Sequence, residues 1–366
     1  MHGLRIARAT LASIAIMAAV PSAVLAQTVT AAVPPPPEQG PHANGQQETK
    51  KVAKVVPAKK LFGAKSRAAN LAARSIGFYS RGCLSGGKYL PVDGPAWQAM
   101  RLSRNRNWGH PVLIKYIEQL AKDAKAAGDW PGLLVGDLTQ PRGGPMTSGH
   151  ASHQVGLDAD IWLTPMPENH RYSWKERETV SAVTMLKNTL SVNPKVFTPN
   201  VIALIKRAAE YDQVERIGVN PAIKYALCQA AGGDQPWLQK IQGWRGHHYH
   251  MHIRLKCPAG SDNCRHQGAP TRTSCAVAEQ WYKDTKAWLE NPKKDTGKKK
   301  TKRKSRPKPE ITLDDLPSAC RDVLAAAPTG GPELIKNVAL PERKPGQMTA
   351  GIIAPRPQPA VRQSAQ

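Results

Sequence analysis

Residues 71–290 predict an α+β domain, and three observations carry that reading. Stretches with apolar residues at helical spacing stand beside stretches in which apolar and polar residues alternate. Nine tryptophans, all between Trp97 and Trp288, supply the apolar payload that a core needs. The flanks on either side are rich instead in proline and in lysine or arginine, a composition that buries little.

The elements follow in order. The run 112–121 reads as a helix with Ile114, Ile117 and Leu120 near one face. A second helix is expected over 200–211, where Ile202, Leu204, Ile205, Ala208 and Ala209 form an apolar stripe. Asn220 followed by Pro221 reads as an N-cap with proline at the first helical position, and Gly232-Gly233 offers the stop, so a third helix is expected over 221–231. Strands are expected at 133–138, 157–163, 216–219 and 247–255. Pro141, Gly143, Gly144 and Pro145 suggest either a shaped loop over a cleft or a plain turn.

The ends carry different information. Arg5 and Arg8 precede an apolar run from Leu11 to Val20, and small residues lead to Ala26, the layout of a signal peptide cleaved after Ala26. An uncleaved anchor is the alternative, though it normally needs about 20 apolar residues. Residues 27–70, with Pro34 to Pro37 and several lysines, read as a disordered linker. No later run is long and apolar enough to suggest stable membrane insertion. The formal net charge of +25 is concentrated in part between Lys293 and Lys308, where Asp295 is the sole acid. A flexible basic segment over 291–312 is therefore expected, either a solvated spacer or a binder of an anionic polymer or lipid; for an exported chain, nucleic acid is not the expected partner. Residues 313–326 form a short helix-like patch, and 327–366 read as a proline-rich disordered tail. All six cysteines lie downstream of the export signal, which suits disulfides; a structural zinc site is the rival, but there is no Cys-x-x-Cys pair.

Two constellations carry chemistry. In the first, a Gly- and Ser-rich loop presents His150 and His153, and the strand that follows carries Asp158 and Asp160 on one face with Trp162. In the second, alternation over 247–255 puts His248, His250, His252 and Arg254 on one face against Tyr249, Met251, Ile253 and Leu255 on the other. His247 has the opposite parity, so a bend is needed if it is to face the same site. Each histidine alone reads as an ordinary surface or core residue. Together, imidazoles and a spaced carboxylate fit a catalytic zinc, whose tetrahedron keeps one vertex for water. There is no His-Glu-x-x-His run, so the helix-borne arrangement of thermolysin is not expected. Asp158 reads either as the support of a ligand imidazole or as an ordinary acid.

SGHASHQVGLDADIWL at 148–163, GDLTQPRGG at 136–144, VNPAIK at 219–224 and HMHIRLKCPA at 250–259 resemble the penicillin-insensitive murein endopeptidases. That family is similar in turn to the metallopeptidase group of lysostaphin, D-Ala-D-Ala carboxypeptidases and the hedgehog signalling domain. The resemblance implies a small antiparallel sheet with flanking helices and loops that carry a zinc site. It implies His153, Asp160 and His252 as ligands of a catalytic Zn2+, His150 as a further ligand or a holder of a second metal, His250 as the catalytic histidine and His247 as a second histidine near the metal. The segment 187–191 lacks the Asp and His that the family's second metal would take. The implied reaction is hydrolysis of the D-alanyl-meso-diaminopimelyl cross-link of peptidoglycan in the periplasm. The implied disulfides are Cys83 with Cys320, Cys228 with Cys275 and Cys257 with Cys264. Three alternatives stand beside this reading: a D,D- or L,D-carboxypeptidase gripping a terminal carboxylate with Arg142 or Arg254, a non-catalytic wall-binding protein, and an adhesin built on the basic segment.

Overall fold

The computed structural model describes residues 55–128, 130–292 and 309–329. The expected signal peptide, most of the linker, most of the basic segment and most of the tail lie outside the described residues. Along the chain come α1 (Ala58–Gly63), β1 (Arg74–Phe78), β2 (Arg81–Ser85), β3 (Lys88–Tyr89), β4 (Asp93–Gly94), β5 (Trp97–Ala99), β6 (Trp108–Gly109), α2 (Pro111–Ala126), β7 (Leu133–Val135) and β8 (Asp158–Trp162). They are followed by α3 (Trp174–Thr179), α4 (Pro199–Glu210), β9 (Val214–Val219), α5 (Pro221–Ala230), β10 (Ile241–Gly243), β11 (His250–Leu255), α6 (Cys275–Glu290) and α7 (Ala319–Ala325).

The class is α+β as expected, but the sheet is neither small nor purely antiparallel. Seven strands lie in the order β10-β9-β11-β8-β7-β5-β4. The central run β9, β11, β8, β7 is antiparallel, whereas β10 joins β9 and β5 joins β7 in parallel. The parallel pairs arise because a helix intervenes between the partners, α5 before β10 and α2 before β7, and such a connection returns the chain in the same direction.

The three expected helices form, each beginning at a proline. Pro111, Pro199 and Pro221 occupy first-turn positions where the missing N–H costs nothing. The Asn220 side chain accepts from the Ala222 N–H, and the His110 ring accepts from Val112. The apolar stripes of α2 and α4 bury Leu113, Ile117, Leu120, Leu204 and Ile205 in one core with Ala159, Ile161, Met251 and Ile253 from the strands. The opposite faces of β8 and β11 are thereby left to carry polar groups.

A second core gathers Ala58, Phe62, Ile76, Cys83, Leu316, Cys320 and Val323 from α1, the β1–β2 hairpin, α7 and the segment just before α7. It corrects three expected boundaries. The linker does not extend to residue 70, since α1 buries Ala58 and Phe62. Residues 309–312 leave the basic segment to pack on α1, where the Ala58 N–H donates to the Ile311 carbonyl. The tail does not begin at 327, because Asn70 and Thr329 donate to Ala327 and Ala68. The 141–145 segment is buried, not draped over a cleft: the Gln140 amide donates to the carbonyls of Gly143 and Pro145, and Gly144, at φ 77°, lies so close to Phe62 that a Cβ would meet the ring at 2.2 Å.

Cys83–Cys320, Cys228–Cys275 and Cys257–Cys264 are all disulfides, the pairing the resemblance implies. Among the described residues no helix is long and apolar enough to cross a membrane.

Candidate metal centre

The centre is built on the polar face of two adjacent antiparallel strands. The register sets His252 opposite Asp160 and Arg254 opposite Asp158, and directly opposed side chains share a face. His153 reaches the same place from the loop before β8. Its backbone takes a left-handed φ of 63°, its N–H donates to Asp158 Oδ2 at 3.1 Å, and Thr139 Oγ1 donates to its carbonyl. A non-glycine residue tolerates that conformation only where its surroundings enforce it.

The hydrogen bonds fix how each imidazole points. His153 Nδ1 lies 2.5 Å from the Leu138 carbonyl, an acceptor, so this nitrogen carries the proton and Nε2 faces inward as a lone pair. His252 Nε2 lies 3.0 Å from Asp158 Oδ1, so its inward atom is Nδ1. Asp158 is held in turn by Arg254 Nε at 2.6 Å. Burial pushes the Asp158 carboxyl up, but the Arg254 charge and the His252 hydrogen bond outweigh it and hold the group ionised, well below the usual carboxylate range.

The inward atoms then converge. His153 Nε2 is 3.1 Å from His252 Nδ1 and 3.5 Å from Asp160 Oδ1, His252 Nδ1 is 3.0 Å from Asp160 Oδ1, and His150 Nε2 is 3.5 Å from Asp160 Oδ2. Ligand atoms of His150, His153 and Asp160 all lie within 4.8 Å of one another. A buried carboxylate flanked by two imidazoles whose outer nitrogens are already engaged, by the Leu138 carbonyl and by Asp158, is a donor set that a cation between them would satisfy. Nitrogen and oxygen donors of this kind suit zinc, so the residues present fit the metal.

His250, next but one on β11, has Nε2 3.6 Å from Asp160 Oδ1 while its buried Nδ1 has no partner. Burial pushes its pKa down to about 4 against the opposing pull of Asp160. The expected strand over 247–255 begins only at His250, and His247 precedes it with φ 47°. That is the bend which its parity demanded. Its Nδ1–H donates to the Arg245 carbonyl at 2.9 Å, and its ring centroid lies 5.0 Å from that of His250. His248, by contrast, turns away to Thr184. His150, His247 and His252 line a cleft of about 690 Å³ that continues past Arg254 and Arg216.

Asp137 was not foreseen. Its Oδ2 takes His150 Nε2 at 3.0 Å, Arg104 at 3.0 Å and Arg106 at 2.8 Å, contacts that overcome burial and lower its pKa to about 2. The residue sits inside the GDLTQPRGG run, but nothing in its spacing from the two constellations ties it to them. Arg142 and Arg254, read as possible carboxylate grips, are both committed elsewhere. Arg254 serves Asp158, and Arg142 donates to the carbonyls of Val323, Leu324 and Ala326 at the end of α7.

A sequence model of the penicillin-insensitive murein endopeptidases matches residues 75–325. The chain belongs to this peptidase family. The matched span runs through α7, so the family's domain does not stop at 290. A penicillin-insensitive murein endopeptidase of Haemophilus influenzae is 42% identical over 252 residues, 69% of this chain and 82% of the relative. One from Pectobacterium atrosepticum is 42% identical over 228 residues, 61% of this chain and 79% of its own. One from Klebsiella pneumoniae subsp. pneumoniae is 38% identical over 252 residues, 69% and 86% respectively.

Proposed function

We propose that this chain is a zinc-dependent murein endopeptidase that hydrolyses the D-alanyl-meso-diaminopimelyl cross-link of peptidoglycan in the periplasm. The observation that carries the reading is the convergence of His150, His153, Asp160 and His252 on one point at the head of an open cleft, in a member of this family. His153, Asp160 and His252 would hold the metal, with His150 beside them. Bound there, zinc supplies a Lewis acid that polarises an amide carbonyl and lowers the pKa of water.

The remaining residues act around it. Asp158 fixes the tautomer and tilt of His252, and the Leu138 carbonyl does the same for His153. His250, kept neutral by its burial, has a ring free to accept a proton from water or to hydrogen-bond the developing oxyanion. His247, with Nδ1 committed to Arg245, presents Nε2 toward the same space. The three disulfides suit an oxidising compartment.

The test is digestion of purified cross-linked murein, read by mass spectrometry of the released muropeptides. Conversion of D-alanyl-diaminopimelate dimers to monomers is expected, abolished by a chelator, restored by zinc, and absent in His153→Ala. Monomers shortened by a terminal residue would point to a carboxypeptidase, and no metal-dependent change would point to a wall-binding protein.

A further inference from the structure

Beyond the metal centre the cleft wall carries two guanidinium groups. Arg254 on β11 and Arg216 on β9 are register partners, so both rise from the same face of the sheet. Like charges placed opposite each other repel, and each needs an anion. Arg254 has Asp158 at 2.6 Å, and its guanidinium lies over the Tyr79 ring, 3.9 Å from the centroid. Arg216 is only 4% exposed, yet it has nothing equivalent. Its Nη atoms donate to the neutral oxygens of Gln242 and Gly268, and its buried Nε has no partner. Glu215, one residue earlier on the strand and hence of opposite parity, pairs with His266 at 3.5 Å. Among the described residues no carboxylate forms an ion pair with Arg216. A buried cation with no carboxylate in contact, lining the cleft of a peptidase, marks a place for an anionic part of the substrate.

We propose that Arg216 binds the free carboxylate next to the scissile amide, on the leaving side of the cross-link. The proposal rests on the murein endopeptidase reading above. In a D-alanyl-diaminopimelyl cross-link the carbon bearing the scissile nitrogen also bears a free carboxylate, three bonds from the carbonyl carbon under attack. Arg216 lies two residues along β9 from Gly218, the partner of His252, a distance of about 7 Å. This backbone spacing is of the same order as the span from an attacked carbonyl, through the adjacent carboxylate, to a hydrogen-bonded guanidinium. Free carboxylates on the acyl side are separated from the scissile bond by a whole alanyl residue and fall beyond this reach. Arginine's planar fork is matched to a carboxylate, and the neutral oxygens of Gln242 and Gly268 hold it in place without satisfying its charge.

Two synthetic cross-linked peptide dimers test this, identical except that the leaving-side carboxylate is free in one and amidated in the other. With the zinc-loaded wild-type protein, kcat/KM for the free form should exceed that for the amidated form by about 10- to 100-fold, the scale of one buried charge-assisted pair. In Arg216→Gln the ratio should collapse toward one. Arg216→Lys, which keeps the charge and loses the fork, should give an intermediate ratio. Equal wild-type rates on the two dimers, or an unchanged ratio in Arg216→Gln, would overturn the proposal. If Arg216→Gln does not fold, the wild-type ratio and Arg216→Lys decide: an Arg216→Lys ratio equal to that of the wild type overturns it. Failure of the wild type to cut either dimer would instead overturn the endopeptidase reading.

Discussion

Asp158 shows how one side chain's task depends on contacts that spacing cannot disclose. Its two oxygens meet His252 Nε2, Arg254 Nε and the His153 backbone N–H, so a single carboxylate orients the His252 imidazole and pins the backbone that carries His153. Replacing it by Asn removes the charge but leaves the shape. Zinc affinity of Asp158→Asn, measured by competition with a chromogenic chelator, should fall by about 10- to 100-fold, while the far-ultraviolet circular dichroism stays that of the wild type. Undiminished affinity would remove Asp158 from the centre. The faces of His250, His252 and Arg254 were legible because strand parity is a property of neighbouring residues. Asp137 and Arg216 were not, since Asp137 meets His150 only once the chain turns after β7, and Arg216 reaches the cleft only because β9 pairs with β11. Nor was Arg142, which looked available for a substrate carboxylate and instead binds carbonyls at the end of α7.

At the level of elements, the helices were legible from apolar stripes and proline starts, and the core strands from alternation. Their ends moved by a few residues. The 247–255 strand lost its first three because His247 adopts φ 47°, and the 133–138 strand ends at Val135, after which the chain turns to bring Asp137 and the Leu138 carbonyl to the site. Elements of two or three residues such as β3, β4 and β6 leave no periodic trace. The α7 helix is held at its C-terminal end by Arg142, 2% exposed, whose Nη1 donates to Val323, Leu324 and Ala326 at 2.7–2.9 Å. A cation there also complements the helix dipole. Arg142→Met leaves these buried carbonyls without donors and should destabilise the protein by about 2–4 kcal/mol in urea denaturation. KM for a cross-linked peptide should stay put. A large rise in KM without loss of stability would return Arg142 to the role of substrate grip.

Across the whole molecule, the Cys83–Cys320 bridge joins β2 to α7 over a sequence separation of 237 residues. Closing so long a loop restricts the unfolded chain by about 5 kcal/mol in the chain-entropy model, and native bridges commonly deliver 2–5. The double variant Cys83→Ser/Cys320→Ser should lose about 2–5 kcal/mol of stability, measured by denaturant unfolding under oxidising conditions. An unchanged midpoint would mean that the second core holds α7 unaided. By itself the sequence determined the α+β class, the three amphipathic helices, the polar faces of β8 and β11 and the family, because periodicity, capping and contiguous motifs are written in neighbouring residues. Only the tertiary structure decided the mixed seven-stranded sheet, the packing of 55–70 and 309–329 into a second core, the bend at His247, and the company kept by Asp137, Arg142 and Arg216. Those outcomes depend on which distant segments meet when apolar faces are buried together, and burial is a property of the assembled chain.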